Sequence, residues 1–237
     1  MTDRSKRLPE KSSRADVDKF LRKVAQTPLV HPGGNGGRLI FAMDATGSRE
    51  PTWDRACQIQ GEMFSATAEL GGLNLQLCYY RGLGEFYASP WLTTSKDLLS
   101  QMTRVRCIGG ITQIGRVLNH ALNESARSKV DALVFIGDCM EEDIDKLSQL
   151  CGQLGLRGVP AFVFHEGHDP IAERAFREMA RLTRGAYCRF DSGSARLLQE
   201  LLGAVAVYAA GGRKALEDFT RGKQEEVRLL TSQIGNR

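Results

Sequence analysis

Two kinds of apolar pattern alternate along this 237-residue chain. Short, nearly continuous apolar runs occupy Arg38 to Asp44, Leu73 to Arg81, Asp131 to Asp138, Pro160 to Phe164 and Ala186 to Phe190. Runs of that length with β-compatible side chains predict buried strands. Between them the apolar residues recur at helical spacing. A helix opens at Pro51, a residue suited to a first turn, and carries Ala56, Ile59, Met63, Ala66 and Leu70 on one face. Further helices are predicted over Thr94 to Met102, from Ile114 through Leu122, and over Asp143 to Leu154, Ile171 to Leu182 and Ala195 to about Ala209. Gly82-Leu83-Gly84 is a tight connection into Glu85 to Ser89, which predicts an antiparallel hairpin strand.

Continuous apolar strands alternating with amphipathic helices imply an α/β fold whose mostly parallel sheet is covered by helices on both faces. Right-handed crossovers favour a doubly wound, Rossmann-like order. The expected sheet has six strands, with the hairpin strand as one antiparallel edge. In such a sheet the ligand crevice lies beyond the carboxyl ends of the strands, where the winding reverses. Those two strands are Arg38 to Asp44 and Asp131 to Asp138, so Asp44 and Asp138 are expected at one crevice.

The flanks differ in composition. Residues 1–37 form a basic arm, a short helix over Ala15 to Ala25 and a glycine-rich loop; residues 38–210 form the α/β domain; residues 211–237, after Gly211-Gly212, form a charged helix. A chain of this size with 42% hydrophobic residues builds one substantial core. The net charge of +4 resides in the flanks, with eight basic against four acidic residues in the first 25, and the middle is slightly acidic. That balance argues against a nucleic-acid-binding face on the domain. The glycines at 33–37 precede the first strand instead of following it, which argues against a dinucleotide cradle. Six scattered cysteines without a CxxC pair, no secretory stretch in MTDRSKRLPEKSSR and no membrane-length apolar run give the expectation of a cytoplasmic protein with free thiols.

The first strand ends in Asp44-Ala45-Thr46-Gly47-Ser48. Alternate spacing lets the three oxygen-bearing side chains point one way if the chain stays extended. Hard oxygen donors without His or Cys among them suit Mg²⁺ better than zinc. At these residues the chain resembles a known family. FAMDATGS is similar to the DxSxS motif of von Willebrand factor type A (VWA) domains, GGITQIGRVLNHAL to their threonine-bearing loop and helix, and LVFIGD to their second aspartate strand. The resemblance implies a VWA fold with a variant metal-ion-dependent adhesion site. It implies that Asp44, Thr46, Ser48, Thr112 and Asp138 hold Mg²⁺ or Mn²⁺, directly or through waters, with a coordination position open to an Asp or Glu of a partner protein. The implied function is metal-dependent protein interaction without catalysis. Thr46 replaces the family's first serine, Arg49 and Glu50 set charges beside the site, and Gly137-Asp138-Cys139 stands where Thr-Asp-Gly is common.

Other readings compete. A Mg²⁺-dependent phosphohydrolase would use Asp44 as nucleophile, but such chemistry needs a second carboxylate where Thr46 stands. A metal-free scaffold would act through the C-terminal helix, whose Leu216, Phe219, Val227, Leu230 and Ile234 make an imperfect seam. The His165-Glu166-Gly167-His168-Asp169 loop resembles a zinc site in composition but lacks a helical spacing and a third ligand. Glu141, Glu142 and Asp143 read as first-turn carboxylates of the helix that follows them.

Overall fold

A computed structural model describes Lys23 and residues 36–59, 61–67, 72–190 and 195–234. The expected N-terminal arm, its short helix and most of the glycine-rich loop lie outside the described residues.

Strands β1 (Gly37–Asp44), β2 (Leu73–Arg81), β3 (Glu85–Ala88), β4 (Ala132–Gly137), β5 (Ala161–Glu166) and β6 (Ala186–Phe190) form one sheet in the order β3-β2-β1-β4-β5-β6. All neighbours run parallel except the β2–β3 hairpin, so β3 is an antiparallel edge as the sequence predicts. The winding reverses between β1 and β4, which pair directly. From Gly36 onward, the described α-helices are α1 (Glu50–Ile59), α2 (Gly61–Ser65), α3 (Ser95–Met102), α4 (Ile114–Arg127), α5 (Ile144–Leu156), α6 (Pro170–Leu182) and α7 (Ala195–Ile234).

Strand periodicity divides the core into two layers. Leu39, Phe41 and Met43 face one layer, with Leu77, Val134, Phe162, Trp53, Leu98 and the apolar side of α7. Ile40 and Ala42 face the other, with Tyr80, Phe135, Val163 and helices α4, α5 and α6. Burial on both sides explains why β1 and β4 are apolar throughout rather than alternating. Caps fix the helix starts beyond the sheet: Thr94, Asp143 and Asp169 each accept backbone N–H groups of the first turn.

Two expectations need correction. Of the helix drawn from Pro51 through Leu70, the described residues are helical over Glu50–Ile59 and Gly61–Ser65 and form a turn at Ala66 and Thr67, while Gln60 and Leu70 lie outside the described residues. The break at Gly211-Gly212 is also more than an interruption. Gly212 adopts φ 70°, ψ −164°, a conformation that glycine reaches without steric cost. The chain turns back there, because the Phe219 ring lies against Gly203 and Leu216 is fully buried in the core. The first turns of the C-terminal segment thus pack on the domain. The side chains of Val227, Leu230 and Ile234 lie outside the described residues.

Candidate functional site

The site forms at the carboxyl ends of β1, β4 and β5. Asp44 ends β1 and is fully buried. Its Oδ1 accepts the Thr46 N–H at 2.7 Å, and its Oδ2 accepts the Tyr80 hydroxyl at 3.1 Å. Tyr80 stands opposite Asp44 in the β1–β2 register, so the strand pairing itself delivers this donor. Burial raises the Asp44 pKa, opposed by the Thr46 hydrogen bonds; the Asp138 charge raises it further and Arg49 lowers it. Burial, then the Asp44 charge and hydrogen bond, push the Tyr80 hydroxyl well above its ordinary value, so it remains a donor.

The chain does not stay extended through the motif. It turns at Thr46 into a single 3₁₀ turn, Gly47–Arg49, held by the Arg49 N–H to the Thr46 carbonyl at 2.9 Å. Ser48 therefore reaches the site from that turn and donates through Oγ to Asp138 Oδ2 at 2.7 Å. The turn abuts Gly109, and the Ile108 N–H donates to the Ala45 carbonyl at 3.0 Å, so the loop before α4 is laid against the motif. Gly110 is confined by a close approach, since a Cβ there would stand 2.0 Å from the Gly82 carbonyl oxygen.

Thr112 is buried in this loop and locked by Glu141 in both directions. Its N–H donates to Glu141 Oε2 at 3.0 Å, and its Oγ1 accepts the Glu141 N–H at 3.1 Å. The hydroxyl keeps a further lone pair. Glu142 accepts the N–H groups of Ile114 and Gly115 and so covers the positive N-terminus of α4. Glu141 and Glu142 thus serve the preceding loop and helix, whereas the sequence reading places them in the first turn of the following one. That turn belongs to Asp143, which caps α5, and to Asp145.

Asp138 follows β4 with one oxygen engaged and one not. Oδ2 accepts from Ser48, while the buried Oδ1 has no hydrogen-bond partner among the described residues. Ligand atoms of Asp44, Asp138 and Cys139 lie within 4.8 Å of one another. Burial, reinforced by the charges of Asp138, Asp44 and Glu141, pushes the Cys139 thiol up to about 12. At neutral pH it is a protonated thiol rather than a soft thiolate ligand. Two carboxylates with neighbouring hydroxyls, one carboxylate oxygen lacking a partner, fit a hard divalent cation such as Mg²⁺ or Mn²⁺.

Arg49 is the residue whose place the sequence conceals. A charged side chain after a polar turn reads as solvated, yet Arg49 is 1% exposed. Its Nη1 pairs with Glu166, the last residue of β5, and stands 3.9 Å from Asp138 Oδ2. The Thr52 hydroxyl also donates to Glu166. Nε and Nη2 of Arg49 are buried without partners among the described residues. The His165-to-Asp169 loop is divided among separate tasks. His165 is buried between the Tyr187 hydroxyl and the Asp138 carbonyl, Glu166 holds Arg49, and Asp169 caps α6.

The surface around this crevice carries exposed apolar residues and charges of both signs, with Glu50 and Glu141 among the acidic ones. Leu83 in the β2–β3 turn is 83% exposed, with Ile108 and Ile111 about half exposed on the adjoining loop. The Gly82 N–H donates to Ile108 O and the Ile111 N–H to Gly82 O, which ties the two loops together. Arg106, whose carbonyl accepts from Arg81, and Arg116, which donates to the Gly84 carbonyl of the β2–β3 turn, are exposed near the crevice.

This architecture, with its crevice between β1 and β4, is a VWA-like α/β fold. No family model matches the chain, and no curated protein matches it. Solved structures do. The SpRpn10 VWA domain is 13% identical with a TM-score of 0.54, covering 75% of this chain and 97% of that one. The PilB minor pilin from Streptococcus sanguinis is 10% identical at TM-score 0.52, and proximal thread matrix protein 1 of the mussel byssus is 15% identical at 0.55. The match covers 76% of this chain in both, but only 62% of the pilin and 48% of the byssus protein. At these identities the similarity concerns the fold.

Proposed function

We propose that the chain is a protein-interaction module that holds Mg²⁺ or Mn²⁺ in the crevice and receives an Asp or Glu of a partner protein there. The observation that carries the reading is Asp138: a carboxylate at the switch point, close to Asp44, whose buried Oδ1 lacks a partner. Asp44, Thr46, Ser48, Thr112 and Asp138 would hold the ion. Mg²⁺ gives up its waters reluctantly and prefers a near-octahedral oxygen shell, so a site built partly of neutral hydroxyls leaves the ion electrophilic toward an added carboxylate.

The chain's own residues prepare that chemistry. Tyr80 and Thr46 orient the Asp44 carboxylate, Ser48 orients Asp138, and Glu141 holds the Thr112 loop in place. Exposed Leu83, Ile108 and Ile111 supply apolar contact beside the crevice, and Arg106 and Arg116 favour an acidic partner. A binding role also suits Thr46, because phosphohydrolase chemistry would need a second carboxylate at its position. Free thiols at all six cysteines support a cytoplasmic setting.

The test is a calorimetric titration of Mg²⁺ and of Mn²⁺ into the full chain and into Asp44→Ala, Thr112→Ala and Asp138→Ala. The reading predicts binding that is lost in both aspartate variants and weakened about tenfold or more in Thr112→Ala. Binding indifferent to all three substitutions places the ion elsewhere and refutes the site.

A further inference from the structure

We propose that Arg49 is a tethered counter-ion of the cation site: its guanidinium neutralises Asp138 while no ion is bound, opposes the approach of a divalent cation, and so sets how tightly the site holds one. This rests on the metal-binding reading above.

Three observations carry it. The first is position. Arg49 leaves the same 3₁₀ turn as Ser48, whose hydroxyl bonds Asp138 Oδ2, and its Nη1 stands 3.9 Å from that same oxygen. A cation bound by Asp138 and this guanidinium must share one carboxylate, and at 1% exposure solvent screens their repulsion poorly.

The second is how loosely Arg49 is held for a buried arginine. Both charged contacts run through Nη1 alone, and among the described residues Nε and Nη2 have no partner. A buried arginine with a purely architectural role spreads its donors over several acceptors. Arg38, half-buried at the opposite end of β1, spreads them in this way: it donates to the Lys129 carbonyl and to Glu124 and lies over the Trp91 ring at 3.9 Å. Arg49 is anchored mainly by charge, so its position answers to the charge around it.

The third is an alternative seat. Glu166, fixed by the Thr52 hydroxyl, already pairs with Nη1. A cation arriving at Asp138 shifts the guanidinium toward Glu166 without stripping it of a counter-charge. Removing Arg49 therefore leaves Asp138 more available, whereas removing Glu166 turns the guanidinium wholly onto Asp138.

The experiment is Mn²⁺ titration, read by calorimetry and by the electron paramagnetic resonance signal of free Mn²⁺. It compares the full wild-type chain with Arg49→Met, Arg49→Lys, Glu166→Gln and the double variant Arg49→Met/Glu166→Gln. The double variant removes both buried charges together and guards against a fold weakened by an unpaired Glu166. The expected result is at least tenfold tighter binding in Arg49→Met and in the double variant, near-wild-type binding in Arg49→Lys, and weaker binding in Glu166→Gln. A purely structural Arg49 would loosen binding in every variant. If neither Arg49→Met nor the double variant binds more tightly than wild type, while Asp138→Ala abolishes wild-type binding, the counter-ion inference is wrong and the metal site stands. If no Asp138-dependent binding occurs in wild type, Arg49→Met or the double variant, both fail.

Discussion

The two ends of β1 and β4 each gather charge, around the buried Glu124 at the amino ends and the buried Asp44 and Arg49 at the carboxyl ends, and they handle it differently. At the amino ends, Arg38 and Asp131 exchange backbone contacts: the Arg38 N–H donates to Asp131 Oδ2 and the Asp131 N–H to the Arg38 carbonyl. Glu124 accepts from Arg38, from the Trp91 indole and from Arg127, and Lys129 pairs with Asp131. Among the described residues, none of these side chains has a buried polar atom without a partner. At the carboxyl ends, Arg49 and Asp138 leave three such atoms open. Buried polar groups are normally satisfied, and the first cluster is what a structural ion network looks like. The second keeps unspent bonding capacity where a doubly wound sheet places its ligands. Charge burial alone therefore does not mark a site; incomplete satisfaction at the switch point does.

The largest expected effect tests the amino-end cluster. Glu124→Ala leaves the Trp91 indole N–H without its acceptor and the Arg38 guanidinium with the Lys129 carbonyl but no carboxylate, and should cost about 2–4 kcal/mol of stability in denaturant unfolding. A loss below about 1 kcal/mol would erase the contrast between the two ends. A smaller effect is expected from Asp138→Asn without metal, which removes an incompletely bonded carboxylate and should change stability by less than about 1 kcal/mol. A loss as large as that of Glu124→Ala would show that the carboxyl end is structural too.

The smallest effect concerns pH. Burial lowers the pKa of both His120 and His165, the latter lying directly beneath the Asp138 carbonyl. The unfolded chain binds protons at these histidines near their ordinary value of 6.5, whereas the folded chain resists until lower pH. Stability contributed by their neutral forms is thus present above 6.5 and lost as pH falls below it. Denaturant midpoints at about pH 7.5 and 5.5 should fall on acidification, and the His120→Gln/His165→Asn double variant should show a shallower fall. An unchanged slope in the double variant would assign the loss to other groups.

Much of the architecture is legible because the apolar runs are long enough to demand burial on both faces. That demand fixes β1 and β4 as central strands, and the crossover rule then brings Asp44 and Asp138 to one crevice. The charged partners are not legible in the same way. Arg49 is buried by Glu166, which lies 117 positions later, and no local pattern announces such a pairing. The roles of Glu141 and Glu142 are hidden for the same reason, since their neighbours in sequence suggest a helix start while their bonds go back to Thr112, Ile114 and Gly115. Gly212 shows where the C-terminal helix breaks, but its reversal depends on Phe219 meeting Gly203. Side-chain alternation also misjudges Ser48, because the chain curls into a 3₁₀ turn after Thr46.

The most direct measurement for the central claim is a Mn²⁺ titration of the full wild-type chain against Asp138→Ala. The account predicts saturable binding of one ion in the wild-type chain and none in the variant. Equal binding in the two, or none in the wild type even at millimolar Mn²⁺, would contradict it.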